Sequence, residues 1–153
     1  MPECTEANLM DIEQVAIHLL SIREHTVYQL HQKLQKKGFE AVQVEEVLDD
    51  LAQRNLVSDE RFAEQYLRMR SDKGYGPVRI SQEMRERGVP DVLIEHSLQG
   101  YEDDWQDLLQ QVVKKKFGSR PVKSFNDKAK RARFLEYRGF PSAMIHDYLS
   151  HID

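Results

Sequence analysis

The sequence of 153 residues has little cysteine and no long hydrophobic run. Its single cysteine, Cys4, excludes a disulfide framework and a cysteine-based metal site within the chain. No apolar stretch approaches the roughly 20 residues of a membrane-spanning helix, and the polar, acidic first residues lack the profile of a signal peptide. We therefore expect a cytoplasmic protein that does not associate with a membrane.

Motifs for nucleotide, metal and catalytic chemistry are also missing. Gly74-Tyr75-Gly76 lacks the third glycine of a dinucleotide fingerprint, and no Gly-Lys-Ser or Gly-Lys-Thr phosphate loop occurs. The histidines form no His-x-x-x-His pair with an acidic partner, and the acidic run at 102–104 has no EF-hand spacing. A hydrolase acting on DNA would need a metal or nucleophile constellation that this sequence does not contain. We predict a protein that is not an enzyme and uses no cofactor or metal.

Sustained alternation of apolar and polar residues is absent as well, so we assign no β-sheet. What the sequence does contain is apolar residues at intervals of three and four, as at Ile12, Val15 and Leu19. Thr26 and Ser58 stand where helix N-caps are expected. These patterns predict helices along the whole chain.

A threefold repeat organises these helices. Gly38, Gly88 and Gly139 lie 50 and 51 residues apart. Apolar residues match at fixed offsets from these glycines: Leu34, Met84 and Leu135 before them, and Val44, Ile94 and Ile145 after them. The agreement predicts an all-α fold of three tandem three-helix repeats that form an elongated, curved molecule. We expect a flexible N-terminal tail at 1–10 and repeats at 11–57, 58–101 and 102–153.

The charges are segregated along the chain, which the net charge of −4 hides. Residues 1–57 carry 5 basic and 10 acidic side chains, and residues 89–107 carry 0 and 6. Residues 108–139 carry 10 basic and 2 acidic side chains, so an anionic partner could be attracted locally. The alternative is that these lysines and arginines form only a solvated face.

The repeat alignment singles out three basic residues. Arg79 and Lys130 occupy equivalent positions and should point away from the apolar stripe. Arg131 aligns with Leu30 and Ile80, so a charge stands where the other repeats have an apolar side chain. This departure indicates either a functional site or an arginine whose stem packs in the core. Likewise, Tyr75 and Trp105 could stack on bases or pack between repeats.

Several longer motifs carry a resemblance to a known family. They include Asp59-Glu60-Arg61-Phe62-Ala63, Lys73-Gly74-Tyr75-Gly76-Pro77-Val78-Arg79-Ile80 and Phe134-Leu135-Glu136-Tyr137-Arg138-Gly139-Phe140. On these motifs the chain resembles the RecX family of recombinase regulators over nearly its whole length after the first ten residues. We expect a monomer, and the resemblance implies that it binds the RecA recombinase filament on DNA. It further implies that binding limits filament extension and suppresses the ATPase, strand-exchange and coprotease activities of RecA.

The basic residues supply the candidate contacts to filament or nucleic acid. They are Arg68, Arg70, Lys73, Arg79, Lys114, Lys115, Lys128, Lys130, Arg131 and Arg133. The acidic stretch at 89–107 argues against strong independent DNA binding, and weak direct binding remains compatible with the sequence. The alternative function is a general single-stranded nucleic-acid-binding module, which would bind bare strands as tightly as filaments.

Overall fold

The computed structural model describes residues 6–101 and 104–152, and every regular element in this part of the chain is a helix. The first repeat contains α1 (Glu6–Ile22), α2 (Val27–Lys36) and α3 (Ala41–Gln53). The second contains α4 (Asp59–Asp72), α5 (Pro77–Glu86) and α6 (Asp91–Gln99). The third contains α7 (Trp105–Phe117), α8 (Phe125–Arg138) and α9 (Ser142–Ser150). The predicted all-α fold of three-helix repeats is confirmed.

The N-terminus differs from the expectation at one point. Because α1 begins at Glu6, residues 6–10 continue the first helix although the sequence analysis assigned them to the tail. The apolar spacing extends back through Leu9, which packs against the core of the first repeat. Residues 1–5 of the predicted tail, which include Cys4, lie outside the described residues, as do 102 and 103 of the acidic run.

Local sequence signals set the helix ends. The Thr26 hydroxyl accepts a hydrogen bond from the Gln29 amide at 3.0 Å, and the Gln29 side chain accepts from the Thr26 amide at 3.1 Å, which completes a capping box. Ser58 caps α4 by accepting from the amide of Arg61. Pro77 is the first residue of α5, where its missing N–H costs no hydrogen bond.

The module glycines have the backbone conformation that the repeat implies. Gly38, Gly88 and Gly139 follow the second helix of each repeat with φ values of 100°, 87° and 93°, a left-handed region that favours glycine. The aligned apolar residues four positions earlier, Leu34, Met84 and Leu135, are fully buried. The alignment thus identified equivalent core positions correctly.

The buried apolar residues form two clusters. One belongs to the first repeat and extends from Ile12 to Val57. The other runs continuously through the second and third repeats and includes Trp105, which is 3% exposed and therefore packs in the core. The second and third repeats thus share one core, whereas the first has its own.

The molecule has more surface than a compact protein of its size. Its accessible area is 9934 Å², whereas a compact monomer of 18.0 kDa is expected to expose about 8,000 Å². Tandem stacking accounts for the excess, because repeats stacked in a row bury less surface than a compact arrangement of the same length. None of the described helices combines the length and apolar character needed to cross a membrane.

Candidate functional site

The second and third repeats meet through two turns, a contact that we call the second joint. The turn before α5 lies against the turn after α8, and the amides of Gly76 and Val78 donate to the carbonyls of Arg138 and Gly139 at 2.7 and 2.9 Å. A Cβ atom at Gly76 would lie 2.6 Å from the Gly139 carbonyl oxygen. Glycine therefore lets the two backbones approach closely at this joint.

A carboxylate, Glu83, holds the cations beside this joint. Its Oε1 accepts from Arg70 Nε at 2.8 Å and from the Tyr66 hydroxyl at 3.0 Å. Its Oε2 accepts from Arg70 Nη2 at 2.9 Å and Arg79 Nε at 3.3 Å. Desolvation raises the pKa of Glu83, but the hydrogen bonds from Arg70, Tyr66 and Arg79 outweigh it and hold the pKa below the usual value. Glu83 is therefore ionised at neutral pH.

Tyr75 is the aromatic centre of the same group. The guanidinium carbons of Arg70, Arg79 and Arg138 lie 3.9, 4.4 and 5.1 Å from its ring centroid. Arg79 also donates to the carbonyl of Tyr137 at 3.1 Å, across the joint. Tyr75 is thus packed among arginines between two repeats, the structural alternative that its sequence position left open.

A cleft of about 410 Å³, which we call the second cleft, opens beside the second joint. Its basic lining consists of Lys73, Lys115, Lys116 and Arg138, and Asp72 is its acidic residue. The apolar part of the lining is Leu108, Val112 and Phe134. Arg138 donates to the Lys73 carbonyl at 2.9 Å, and its guanidinium carbon lies 5.2 Å from the centre of the Phe134 ring. The cleft combines positive charge at its rim with an apolar floor.

The structure brings some of the predicted contact residues together. Lys73 and Lys115 line the second cleft, and Arg70 and Arg79 surround Glu83 next to it. Lys73 and Lys115 are exposed, whereas the two arginines are partly buried by their ion pairs. These four residues belong to one surface around the second joint.

Other predicted residues lie elsewhere. Arg68 borders a separate cleft with His96 and Tyr101, and Lys114 lines another with Tyr148. The remaining residues are on α8: Lys130 and Arg133 are exposed, and Lys128 is half-buried. The predicted set is therefore not one continuous site.

The side chain of Arg131 is packed inside the third repeat. It is 7% exposed, donates to the Tyr148 hydroxyl at 3.0 Å and to the Arg120 carbonyl at 2.8 Å, and lies over the Phe117 ring. Its partners lie within the third repeat, and it does not line the second cleft.

Sequence reasoning missed three residues of this surface: Glu83, Lys116 and Arg138. Two of them have an ordinary explanation in the sequence, because Arg138 fits the preference of basic residues for a helix C-terminus and Lys116 stands in a run of three lysines. One signal was available, because the repeat alignment places Arg87 and Arg138 at the same position, directly before a module glycine. No sequence pattern pointed to Glu83.

The described residues include no group of three or more His, Cys, Asp or Glu that could hold a metal ion. The surface around the second joint offers hydrogen-bond donors, positive charge and an apolar floor, which suit the binding of an anionic partner. The fold defines a protein of tandem helical repeats, with a basic cleft between its second and third repeats.

Comparison with known proteins identifies the family. The first, second and third three-helix domains of RecX match residues 14–51, 58–98 and 102–149. The chain therefore belongs to the RecX family.

Individual relatives match most of the chain. The regulatory protein RecX of Pseudomonas putida (strain GB-1) is 39% identical over 139 residues, which cover 91% of this chain and 89% of that protein. The regulatory protein RecX of Vibrio parahaemolyticus is 35% identical over 148 residues, covering 97% of this chain and 96% of that protein. The crystal structure of RecX from Lactobacillus salivarius shares the fold, with a TM-score of 0.81 and 20% identity over 97% of this chain and 99% of that one.

Proposed function

We propose that the protein regulates the RecA recombinase by binding the recombinase filament on DNA. Membership of a family of regulatory proteins supports this function. The structural observation that carries it is the second cleft, where Lys73, Lys115, Lys116 and Arg138 face one acidic residue among the described residues of a chain of net charge −4. Such local positive charge suits a nucleoprotein partner, whose surface includes phosphate groups.

The tandem fold provides a physical route from binding to inhibition. A chain of three repeats can contact successive subunits of a helical filament, and several weak contacts then add up to strong binding. A protein held across subunits opposes both the addition of further subunits and the movements that accompany ATP hydrolysis. On this account it limits filament extension and suppresses the ATPase, strand-exchange and coprotease activities.

Removing exposed charge from the second cleft tests the contribution of this surface. The variant Lys73→Gln with Lys115→Gln should bind RecA filaments about tenfold more weakly, because each basic residue near a phosphate contributes favourable electrostatic energy. Its affinity should also fall less steeply with salt than that of the wild type. Fluorescence anisotropy of the labelled protein, titrated with filament at several salt concentrations, measures both quantities.

The matched control is Lys36→Gln with Lys37→Gln, which removes the same charge from exposed residues at the end of α2. This control should bind nearly as the wild type does. Equal weakening by both variants would show that only total charge matters, and an affinity independent of salt would remove the electrostatic part of the account.

A general single-stranded nucleic-acid-binding module is the second candidate, because the cations and Phe134 of the second cleft also suit a bare strand. A paired titration separates the two functions. A regulator of the filament binds filament more tightly than the bare strand, whereas a general module binds both equally.

A further inference from the structure

The contact between the first and second repeats, the first joint, is formed by turns equivalent to those of the second joint. At the first joint the Thr26 hydroxyl donates to the Arg87 carbonyl at 2.6 Å. At the second joint the amide of Gly76, which is at the position equivalent to Thr26, donates to the Arg138 carbonyl at 2.7 Å. A Cβ atom at Gly88 would lie 2.3 Å from the Cβ of Tyr28, so this glycine also allows a close approach. Equivalent turns of successive repeats therefore meet at both joints.

A second open cleft lies beside the first joint, and we call it the first cleft. It has a volume of about 450 Å³. Its basic lining is Arg23 and Arg87, and its apolar floor includes Phe62 and Tyr66, whose rings stack with centroids 5.6 Å apart. It therefore resembles the second cleft in size and in the separation of a charged rim from an apolar floor.

Most lining positions of the first cleft have a counterpart in the second. In the repeat alignment Lys73 follows Arg23 by 50 residues and Arg138 follows Arg87 by 51, so each cleft has a basic residue at both positions. The starts of α4 and α7 lie 46 residues apart. The same offset aligns the floor residues of the first cleft with residues of the second cleft. The matched pairs are Phe62 and Leu108, Gln65 and Gln111, and Tyr66 and Val112.

We propose that the two clefts are equivalent sites for successive parts of one single strand of nucleic acid. In each cleft the cation pair binds a phosphate group and the apolar floor contacts an unstacked base. This inference rests on the proposed function and identifies the part of the filament that the protein contacts.

The chemistry of the clefts favours this occupant over an acidic peptide. Two equivalent sites in tandem suit a polymer with a repeating unit, and each nucleotide offers one anionic group beside one flat apolar surface. Arginine occurs in both cation pairs, and its planar donor group matches phosphate geometry. Volumes of about 410 and 450 Å³ fall within the range of small-ligand pockets, about 300 to 1,000 Å³, and accommodate a single nucleotide.

The two clefts differ in charge, which predicts an order of strength. The second cleft adds Lys115 and Lys116 to the shared pair. The first contains Glu24 at the position of Gly74, and this carboxylate is paired with Arg61. The second cleft should therefore contribute more to phosphate binding.

The test is the affinity of the full chain for a labelled oligothymidylate at low salt, measured by fluorescence anisotropy. Lys73→Gln with Lys115→Gln alters the second cleft at exposed residues, and Arg23→Gln alters the first. We expect about tenfold weaker binding for the first variant and about threefold for the second, with the salt dependence reduced in both. Lys36→Gln with Lys37→Gln is the matched control, and circular dichroism verifies that each variant is folded.

A strand that lacks bases tests the apolar floor. It should bind about tenfold more weakly than oligothymidylate of the same length, because it has no base to place against the apolar floor. Equal affinity for both strands, no wild-type binding at low salt, or unchanged affinity in both cleft variants would overturn the inference. Stronger competition by polyglutamate than by unlabelled oligothymidylate would assign the clefts to an acidic peptide instead.

The RecA ATPase of the same variants separates this inference from the proposed function. Cleft variants that bind the strand normally but no longer inhibit RecA would overturn the nucleic-acid assignment and leave the regulator function intact. A wild type that binds the strand through the clefts but does not affect RecA would contradict the regulator function alone.

Discussion

Among single residues, Gly139 is constrained both by its backbone conformation and by its neighbour across the second joint. Its φ is +93°, and an added Cβ would lie 2.2 Å from the Cβ of Arg79. Gly38 has a similar φ of +100° but nothing within 4 Å of the added atom. The two glycines therefore allow backbone strain to be separated from contact between repeats.

Gly139→Ala should destabilise the protein more than Gly38→Ala does. A left-handed backbone costs an alanine about 1 to 2 kcal/mol at either position, and overpacking at the joint adds about 1 to 3 kcal/mol at Gly139. Urea unfolding of both variants gives the two free energies. Equal losses would mean that the joint relaxes around the extra methyl group.

The repeat alignment predicted that these glycines end a helix in each repeat, but it did not predict their contacts across the joints. Periodicity and offsets show where each repeat ends, because they depend on neighbours along the chain. The ion pairs of Glu83 and the approach of Gly139 to Arg79 depend on how one repeat lies on the next. For the same reason, the alignment showed that Arg131 stands at a core position but not which partners stabilise its charge there.

At the scale of elements, the turn between α1 and α2 contains a buried histidine. His25 is 1% exposed, its Nδ1 hydrogen donates to the Arg23 carbonyl at 2.9 Å, and its Nε2 accepts from Lys33 Nζ at 2.9 Å. Desolvation lowers the pKa of His25 below the usual 6.5, and the charges of Arg23 and Lys33 lower it further. Both nitrogens are thus used by the neutral ring.

This arrangement should make the stability of the protein depend on pH. Because the folded state disfavours the protonated ring, the unfolded state binds more protons below about pH 6.5, and stability falls as the pH is lowered through this range. His25→Gln should be less stable than the wild type at pH 7.5, with a smaller loss on acidification to pH 5.5. Thermal unfolding at both pH values measures the difference. Equal losses of stability on acidification in the wild type and in His25→Gln would contradict the lowered pKa of His25.

The sequence predicted the ends of helices better than any other feature of the elements. Thr26, Ser58 and Pro77 are local signals, and the structure confirms all three. The start of α1 was placed too late because the expectation followed the apolar periodicity from Asp11 and did not use Thr5, a residue type favoured at N-caps, directly before Glu6 in the sequence. A capping residue thus predicts where a helix begins or ends, whereas apolar periodicity alone does not locate the end.

At the scale of the whole molecule, the division into two cores predicts two units of stability. The first repeat has its own apolar cluster and meets the second through polar contacts, such as Arg61 Nε with Glu24 Oε1 at 2.6 Å and the Val27 amide with Asp59 at 2.9 Å. The second and third repeats share one cluster. Polar contacts at a partly exposed surface couple two units less strongly than a shared core does.

Leu48→Ala should therefore destabilise the first repeat selectively. Leu48 is 1% exposed, and truncation of such a residue costs about 2 to 5 kcal/mol. Amide hydrogen exchange should show faster exchange in α1, α2 and α3, with protection in α7 and α8 nearly unchanged. Uniform loss of protection through all the described helices would show that the chain unfolds as one unit.

The candidate site depends on how whole repeats are arranged, since residues from two repeats form each cleft. Segregated charge indicated the third repeat, and the candidate contacts also included Lys73 and Arg79 of the second. Neither showed that Lys73 and Lys115 line one cleft, because residues so far apart in sequence are brought together only by stacking of the repeats.

The most direct test of the central claim is the rate of ATP hydrolysis by RecA on single-stranded DNA in the presence of this protein. The wild type should lower the rate as its concentration rises. The variant Lys73→Gln with Lys115→Gln should need about tenfold more protein for the same inhibition, and Lys36→Gln with Lys37→Gln should act as the wild type does. A rate that stays constant at every concentration of folded wild-type protein would contradict the account.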